Sequence, residues 1–163
     1  MKIIITIDGP AGSGKERISK YIAKKYKLYH VDSGIFYRRL AYELYKNKIK
    51  AKEKNKIKKL IEDTNSLSLR RLNSLREEKI GKMASEIARY KFVRDFINLQ
   101  QRLVTKTIND KGGFVIDGRD IGSVVFKRAD LKLYVDLDVN IRAKRRYKQL
   151  IDNGEKSIYR KIL

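Results

Sequence analysis

KIIITIDGPAGSGK, residues 2–15, joins a short apolar run to a glycine loop that ends in lysine. Residues 2–8 are rich in β-branched side chains and read as a strand buried on both faces, the kind that lies inside a parallel sheet. Gly9-Pro10-Ala11-Gly12-Ser13-Gly14-Lys15 has the G-x-x-x-x-G-K spacing of a Walker A phosphate loop. The glycines let the backbone wrap so that its N–H groups face a phosphate. The helix that follows adds the positive end of its dipole, and the ammonium reaches the terminal phosphates. RISKYIAKKY, residues 17–26, supplies that helix, with Ile18, Tyr21, Ile22 and Ala23 at helical spacing. The loop departs from the common pattern at its end. Glu16 and Arg17 follow Lys15 where a Ser or Thr hydroxyl normally meets Mg2+ or phosphate. Glu16 offers a carboxylate but sets negative charge beside a triphosphate, and Arg17 offers a positive donor but no metal ligand. Ser19 lies farther along and is expected to face elsewhere, so no residue is assigned to a metal.

Outward from this core, LYHVD at 28–32 reads as a second strand. It delivers Asp32 and Ser33 at its carboxyl end, where ligands bind in open α/β sheets. Ser33 is the expected N-cap of a helix with Phe36, Leu40, Ala41 and Leu44 on one face. Tyr37 lies one turn beyond Ser33, and Arg38 adjoins it. A hydroxyl, a phenol and a guanidinium together suit a phosphomonoester, although a capped helix with a surface arginine pair has the same residues. Residues 46–76 are the least regular: the lysine run reads as an exposed helix or loop, and SLSLRRL at 66–72 as a short strand. Residues 77–109 read as helical, with a stripe of Ile80, Met83, Ala84, Ile87 and Ala88. A second stripe runs through Phe92, Val93, Phe96, Ile97 and Leu99 to Leu103, Val104 and Ile108, and Lys111-Gly112-Gly113 is the expected stop. FVID at 114–117 is a third strand, ending in Asp117-Gly118-Arg119-Asp120: two carboxylates and an arginine on a glycine turn. LKLYVDL at 131–137 is a fourth, followed by a helix over 139–152 that ends at Asn153-Gly154. Strands alternating with helices through short connections predict one α/β domain over 1–163, with a parallel sheet and right-handed crossovers.

Composition removes several function classes. The chain has 163 residues and no cysteine, which excludes disulfide frameworks, thiolate catalysis and cysteine zinc sites. One histidine, His30, leaves little room for a Ser-His-Asp triad or a multi-histidine metal site. No apolar run approaches a membrane span, and the N-terminal run is too short for a signal peptide, so a cytoplasmic protein without membrane partners is expected. Forty Lys and Arg against 19 Asp and Glu give +21. That charge fits nucleic-acid binding, or a lysine-heavy background on solvated helix faces. The peak at 46–59 contains no aromatic residue to interleave with its lysines, which disfavours base stacking there.

DGPAGSGK, VDSGIFYR, ASEIARYKFVRDFINLQQR and IDGRDIGSVVFKRADLKLYVDLDVNIRAKRRYKQL, in this order, resemble the bacterial cytidylate kinases (CMP kinases), P-loop nucleoside monophosphate kinases. The resemblance covers most of residues 3–160, and DGRDIGSVVF is its most specific part. It implies a three-layer P-loop NTPase fold and transfer of the γ-phosphoryl of ATP to CMP or dCMP with Mg2+. It implies that Gly9, Pro10, Ala11, Gly12, Ser13, Gly14, Lys15, Glu16 and Arg17 line the ATP phosphates. Ser33, Tyr37, Arg38 and Arg119 would hold the CMP phosphate, with Asp32 also at the substrate site, and Ser85, Arg94 and Asp120 would read the cytosine, Arg94 and Asp120 being selective through their burial. Lys15, Arg119 and Asp117 would serve the transfer step. An insert at about 46–90 would help enclose the monophosphate. Beyond GEKSIYRKIL, 154–163, the family pattern continues into an arginine-bearing lid and a last strand and helix, so four strands are expected here with one face of the last uncovered. Arg142, Arg145 and Arg146 would then either serve partly in the lid's place or form a solvated face. A monomer acting on small molecules is the expectation. The alternative is a weak or inactive P-loop nucleotide-binding protein whose basic surface binds RNA.

Overall fold

The β-branched runs become strands, and the stripes between them become helices. The computed structural model describes residues 2–68, 73–108 and 111–152. In chain order the elements are β1 (Ile3–Asp8), α1 (Lys15–Lys25), β2 (Tyr29–Asp32), α2 (Gly34–Lys46), α3 (Lys54–Glu62), a 3-10 turn (Asn73–Arg76), α4 (Glu78–Ile87), α5 (Lys91–Thr107), β3 (Gly113–Gly118), a π-type turn (Ile121–Val125), β4 (Leu131–Tyr134) and α6 (Val139–Asp152). They form two compact units, Met1–Val31 with Lys111–Leu163, and Asp32–Asp110.

The first unit is built on a four-stranded sheet in the order β2-β3-β1-β4. β1 runs parallel to both neighbours, with Asp8 opposite Gly118 on one side and Tyr134 on the other. This is the expected α/β class. β3 is buried along its whole length, as its unbroken apolar run requires. The core gathers Ile5, Ile7, Ala23 and Val115, flanked by Ile22, Leu28, Leu133 and Val135. At the sheet edge β4 leaves Leu131 and Tyr134 exposed, and since these alternate to opposite faces the exposure is not confined to the one face expected.

Several local expectations shift. On α1 the buried residues are Ser19 and Ala23, whereas Ile18 and Tyr21 are exposed. Small residues one turn apart let α1 approach β3 closely, and the Tyr21 ring lies instead beneath Lys25. The stretch 77–109 is two helices, and α5 ends at Thr107, ahead of the expected glycine stop. Gly113 is the first residue of β3. β4 ends at Tyr134, opposite the last residue of β1, and Val135 still donates its N–H to the Asp8 carbonyl (2.8 Å). The second unit is helical: α2 packs on α4 and α5, and α3 on α5. Phe36, Leu40, Ala41 and Leu44 are all buried, as their stripe requires. Part of the lysine run is helical, with α3 anchored by the buried Ile57. Residues 66–68 form no strand, and 69–72 and Asn153–Leu163 lie outside the described residues. The insert expected at 46–90 falls inside this second unit.

Candidate active site

In the first unit β1 ends at Asp8, and the phosphate loop opens from it. Gly14 closes the loop as N-cap of α1 at φ 94, in the left-handed region that favours glycine. The positive end of α1 therefore faces the loop. Lys15 Nζ donates to the Pro10 carbonyl at 3.0 Å, so its ammonium lies along the loop. The Ser13 hydroxyl is buried with no hydrogen-bond partner. A phosphate oxygen would satisfy such a group, which fits a nucleotide phosphate in the loop. Ser19, as expected, faces elsewhere: its hydroxyl donates to the Lys15 carbonyl at 2.9 Å. Glu16 and Arg17 are exposed, and Glu16 pairs with Lys20 at 2.5 Å.

The three arginines of α6 have different partners. Arg142 donates from Nε to the Leu137 carbonyl (3.0 Å) and from Nη1 to that of Ala11 (3.5 Å). Arg145 Nη1 reaches the carbonyls of Gly12 (3.3 Å) and Ser13 (3.4 Å). These two hold the phosphate loop by its carbonyl side. Arg146 bonds Gln149 at 3.0 Å, on its own helix.

At the end of β3, Asp117 is 3% exposed and its Oδ1 lies 2.8 Å from Nε2 of His30, which is 11% exposed. Arg119 and Asp120 are exposed on the turn that follows. Asp120 adopts φ 58, a left-handed conformation that aspartate tolerates better than most residues. Asp8 aims its carboxylate at the same turn and accepts from the N–H groups of Ile121 and Gly122, both at 2.8 Å.

In the second unit Ser33 occupies the N-cap position of α2 but makes no capping bond. Asp32 does that work, its Oδ1 accepting from the Gly34 N–H at 2.9 Å. A carboxylate is the stronger acceptor, and it favours the positive helix end. Tyr37 is half-buried one turn on. Arg38 and Arg39 are not an equivalent surface pair. Arg39 is buried and donates to the Ser68 carbonyl at 3.1 Å. Arg38 donates to the Leu75 carbonyl at 2.8 Å, and its guanidinium lies over Gly81 of α4, where a Cβ would stand 3.1 Å from both terminal nitrogens.

Ser85 and Arg94 are exposed, and so is Asp120, contrary to the burial expected of a base pocket. Arg94 lies back on the turn before α5, donating to the carbonyls of Ala88 (3.0 Å) and Arg89 (2.8 Å), which its long side chain reaches while staying wet. The lysine run also acquires aromatic neighbours that its own sequence lacks. Lys54 lies over the Tyr90 ring and Lys58 over Phe92, and these two rings stack on each other.

Sequence reasoning passed over Asp8, Gly81 and a partner for His30. Only Asp8 left a signal: a carboxylate at a strand end, immediately before the glycine loop. Among the described residues no group of three His, Asp or Glu side chains could hold a metal ion. Asp8 is engaged by two amides and Asp117 by His30. No helix among the described residues is long and apolar enough to cross a membrane.

The sequence profile of cytidylate kinases matches residues 5–163. The chain belongs to the cytidylate kinase family. Family membership makes it one of the phosphotransferases and favours that chemistry over the RNA-binding alternative. The cytidylate kinase of Bartonella tribocorum is 41% identical over 162 residues, which cover 98% of this chain and 73% of that protein. The cytidylate kinase of Rickettsia bellii is 41% identical over 160 residues, with 98% and 71% covered. A bifunctional pantoate ligase/cytidylate kinase of Prochlorococcus marinus is 38% identical over 157 residues, which cover 88% of this chain. The chain spans 30% of the length of that bifunctional relative.

Proposed function

We propose that this chain phosphorylates CMP and dCMP with ATP, and one observation carries the reading: a phosphate loop built on β1 of a parallel sheet in a cytidylate kinase family member. In the first unit Lys15 and the backbone N–H groups of Ala11–Gly14 hold the β- and γ-phosphates of ATP, and Arg17 adds positive charge beside them. Arg142 and Arg145 keep the loop's carbonyls turned outward, which leaves its N–H groups for the phosphates. Arg119 contacts the CMP phosphate, and Asp120 accepts from the exocyclic amine of cytosine. In the second unit Ser33, Tyr37 and Arg38 take the phosphomonoester, with Asp32 fixing the start of α2, and Ser85 and Arg94 belong to base recognition. The expected insert at about 46–90 contributes Ser85 and the Leu75 carbonyl that anchors Arg38.

The step needs no general base. A CMP phosphate oxygen, already anionic, attacks the γ-phosphorus, the bond to the β–γ bridging oxygen breaks, and ADP leaves with that electron pair. Positioning and positive charge are what such a transfer asks of a protein. Lys15 and Arg119 supply that charge, and Asp117 holds His30 beside the turn that carries Arg119. Mg2+ would travel with the phosphates of ATP and neutralise part of their charge. The test is a coupled ADP-release assay with CMP, dCMP, UMP, AMP and GMP, alongside calorimetry of ATP and CMP. Saturable turnover of CMP and dCMP above the purine monophosphates supports the proposal. Purine monophosphates turned over as well as CMP would overturn the substrate assignment, and no nucleotide binding at all would overturn the reading as a whole.

A further inference from the structure

Asp8 is the last residue of β1 and the residue before the phosphate loop, and three backbone groups converge on it. Its carbonyl accepts from Val135 at 2.8 Å. Its two carboxylate oxygens each accept one N–H, from Ile121 and from Gly122, at 2.8 Å. Both amides belong to the turn directly after Arg119 and Asp120. That turn is π-type, a conformation with poor intrinsic stability that persists where side chains hold it. Asp120 sits at its head at φ 58. The turn is also seated by close packing: a Cβ on Gly122 would lie 2.6 Å from the Thr6 hydroxyl of β1. A carboxylate accepting two amides makes charge-assisted bonds, stronger than neutral ones.

We infer that Asp8 is a positioning residue that fastens the Arg119–Asp120 turn to the root of the phosphate loop, so that the monophosphate-binding groups are presented from the strand that carries the ATP site. The inference rests on the proposed cytidylate kinase function. Asp8 touches neither nucleotide. It acts through the two amides, and its loss is felt at the monophosphate first. Asparagine at position 8 keeps one acceptor oxygen but turns an NH2 group toward the second amide, so one of the two bonds is lost.

The test uses the full 163-residue chain and two readouts. Hydrogen exchange of the nucleotide-free protein follows the amides of Ile121 and Gly122, and calorimetry measures CMP and ATP separately. For Asp8→Asn, exchange at those two amides accelerates, and the CMP dissociation constant rises about tenfold, the effect of one charge-assisted bond, while that for ATP stays within about twofold. Gly122→Ala, which pushes the same turn off Thr6 without touching Asp8, produces the same split. Equal losses of CMP and ATP affinity overturn the inference, because Asp8 would then serve the phosphate loop itself. Unchanged exchange at Ile121 and Gly122 overturns it too, as does unchanged CMP affinity in a variant whose wild type binds CMP. A wild-type chain that binds ATP but no CMP fails the functional reading instead, and takes the inference with it.

Discussion

Replacing His30 with leucine removes the partner of a carboxylate that sits inside the sheet. Asp117 is 3% exposed, its Oδ1 lies 2.8 Å from His30 Nε2, and the histidine itself is 11% exposed. Leucine is close to histidine in volume and leaves little cavity, so the cost is that of a buried polar group without its hydrogen bond. That penalty is about 1–3 kcal/mol, at the upper end for a charged group. Taking roughly 2 kcal/mol, the thermal midpoint falls by about 4–8 °C, given about 2–4 °C per kcal/mol for a chain of this size. Urea denaturation followed by circular dichroism measures the loss directly. A double-mutant cycle with Asp117→Ala isolates the pair, and a coupling of about 1–2 kcal/mol is expected, because the double variant no longer buries an unpaired carboxylate. A His30→Leu chain within about 0.5 kcal/mol of wild type, or a strictly additive cycle, would refute the reasoning.

Gly81→Ala places a methyl group 3.1 Å from both terminal nitrogens of Arg38, so the guanidinium shifts off the Leu75 carbonyl. CMP affinity is expected to fall about three- to tenfold, while α4 gains up to about 1 kcal/mol from the better helix former, and calorimetry with thermal melting reads both signs. Unchanged CMP affinity would remove Arg38 from the monophosphate site. Lys15→Ala weakens ATP binding chiefly and Arg119→Ala abolishes CMP binding, which separate titrations check; equal CMP affinity for Arg119→Ala and wild type contradicts its assignment. Arg145→Gln loosens the loop from its carbonyl side, and ATP affinity drops about two- to tenfold, the net worth of one or two ordinary hydrogen bonds, with CMP unaffected.

The strands, the phosphate loop and the inward stripe of α2 were legible in the chain itself, because each is encoded in spacing over a few consecutive residues. Residues 2–8 and 114–117 read as buried strands from their β-branched and apolar character, although Ile3 at the start of β1 is exposed, and G-x-x-x-x-G-K states its own turn chemistry. Tertiary structure alone decided which side chains hold the site together. Asp8 meets Ile121 and Gly122 more than 110 residues away, and His30 meets Asp117 at a separation of 87. Ser33 yielded the cap to Asp32, and Ser85, Arg94 and Asp120, expected to read the base, are exposed, since burial depends on what packs over a residue and not on its type. A local pattern specifies how a segment folds, whereas a hydrogen bond to a distant backbone amide exists only once the sheet has brought two ends of the chain to the same strand edge.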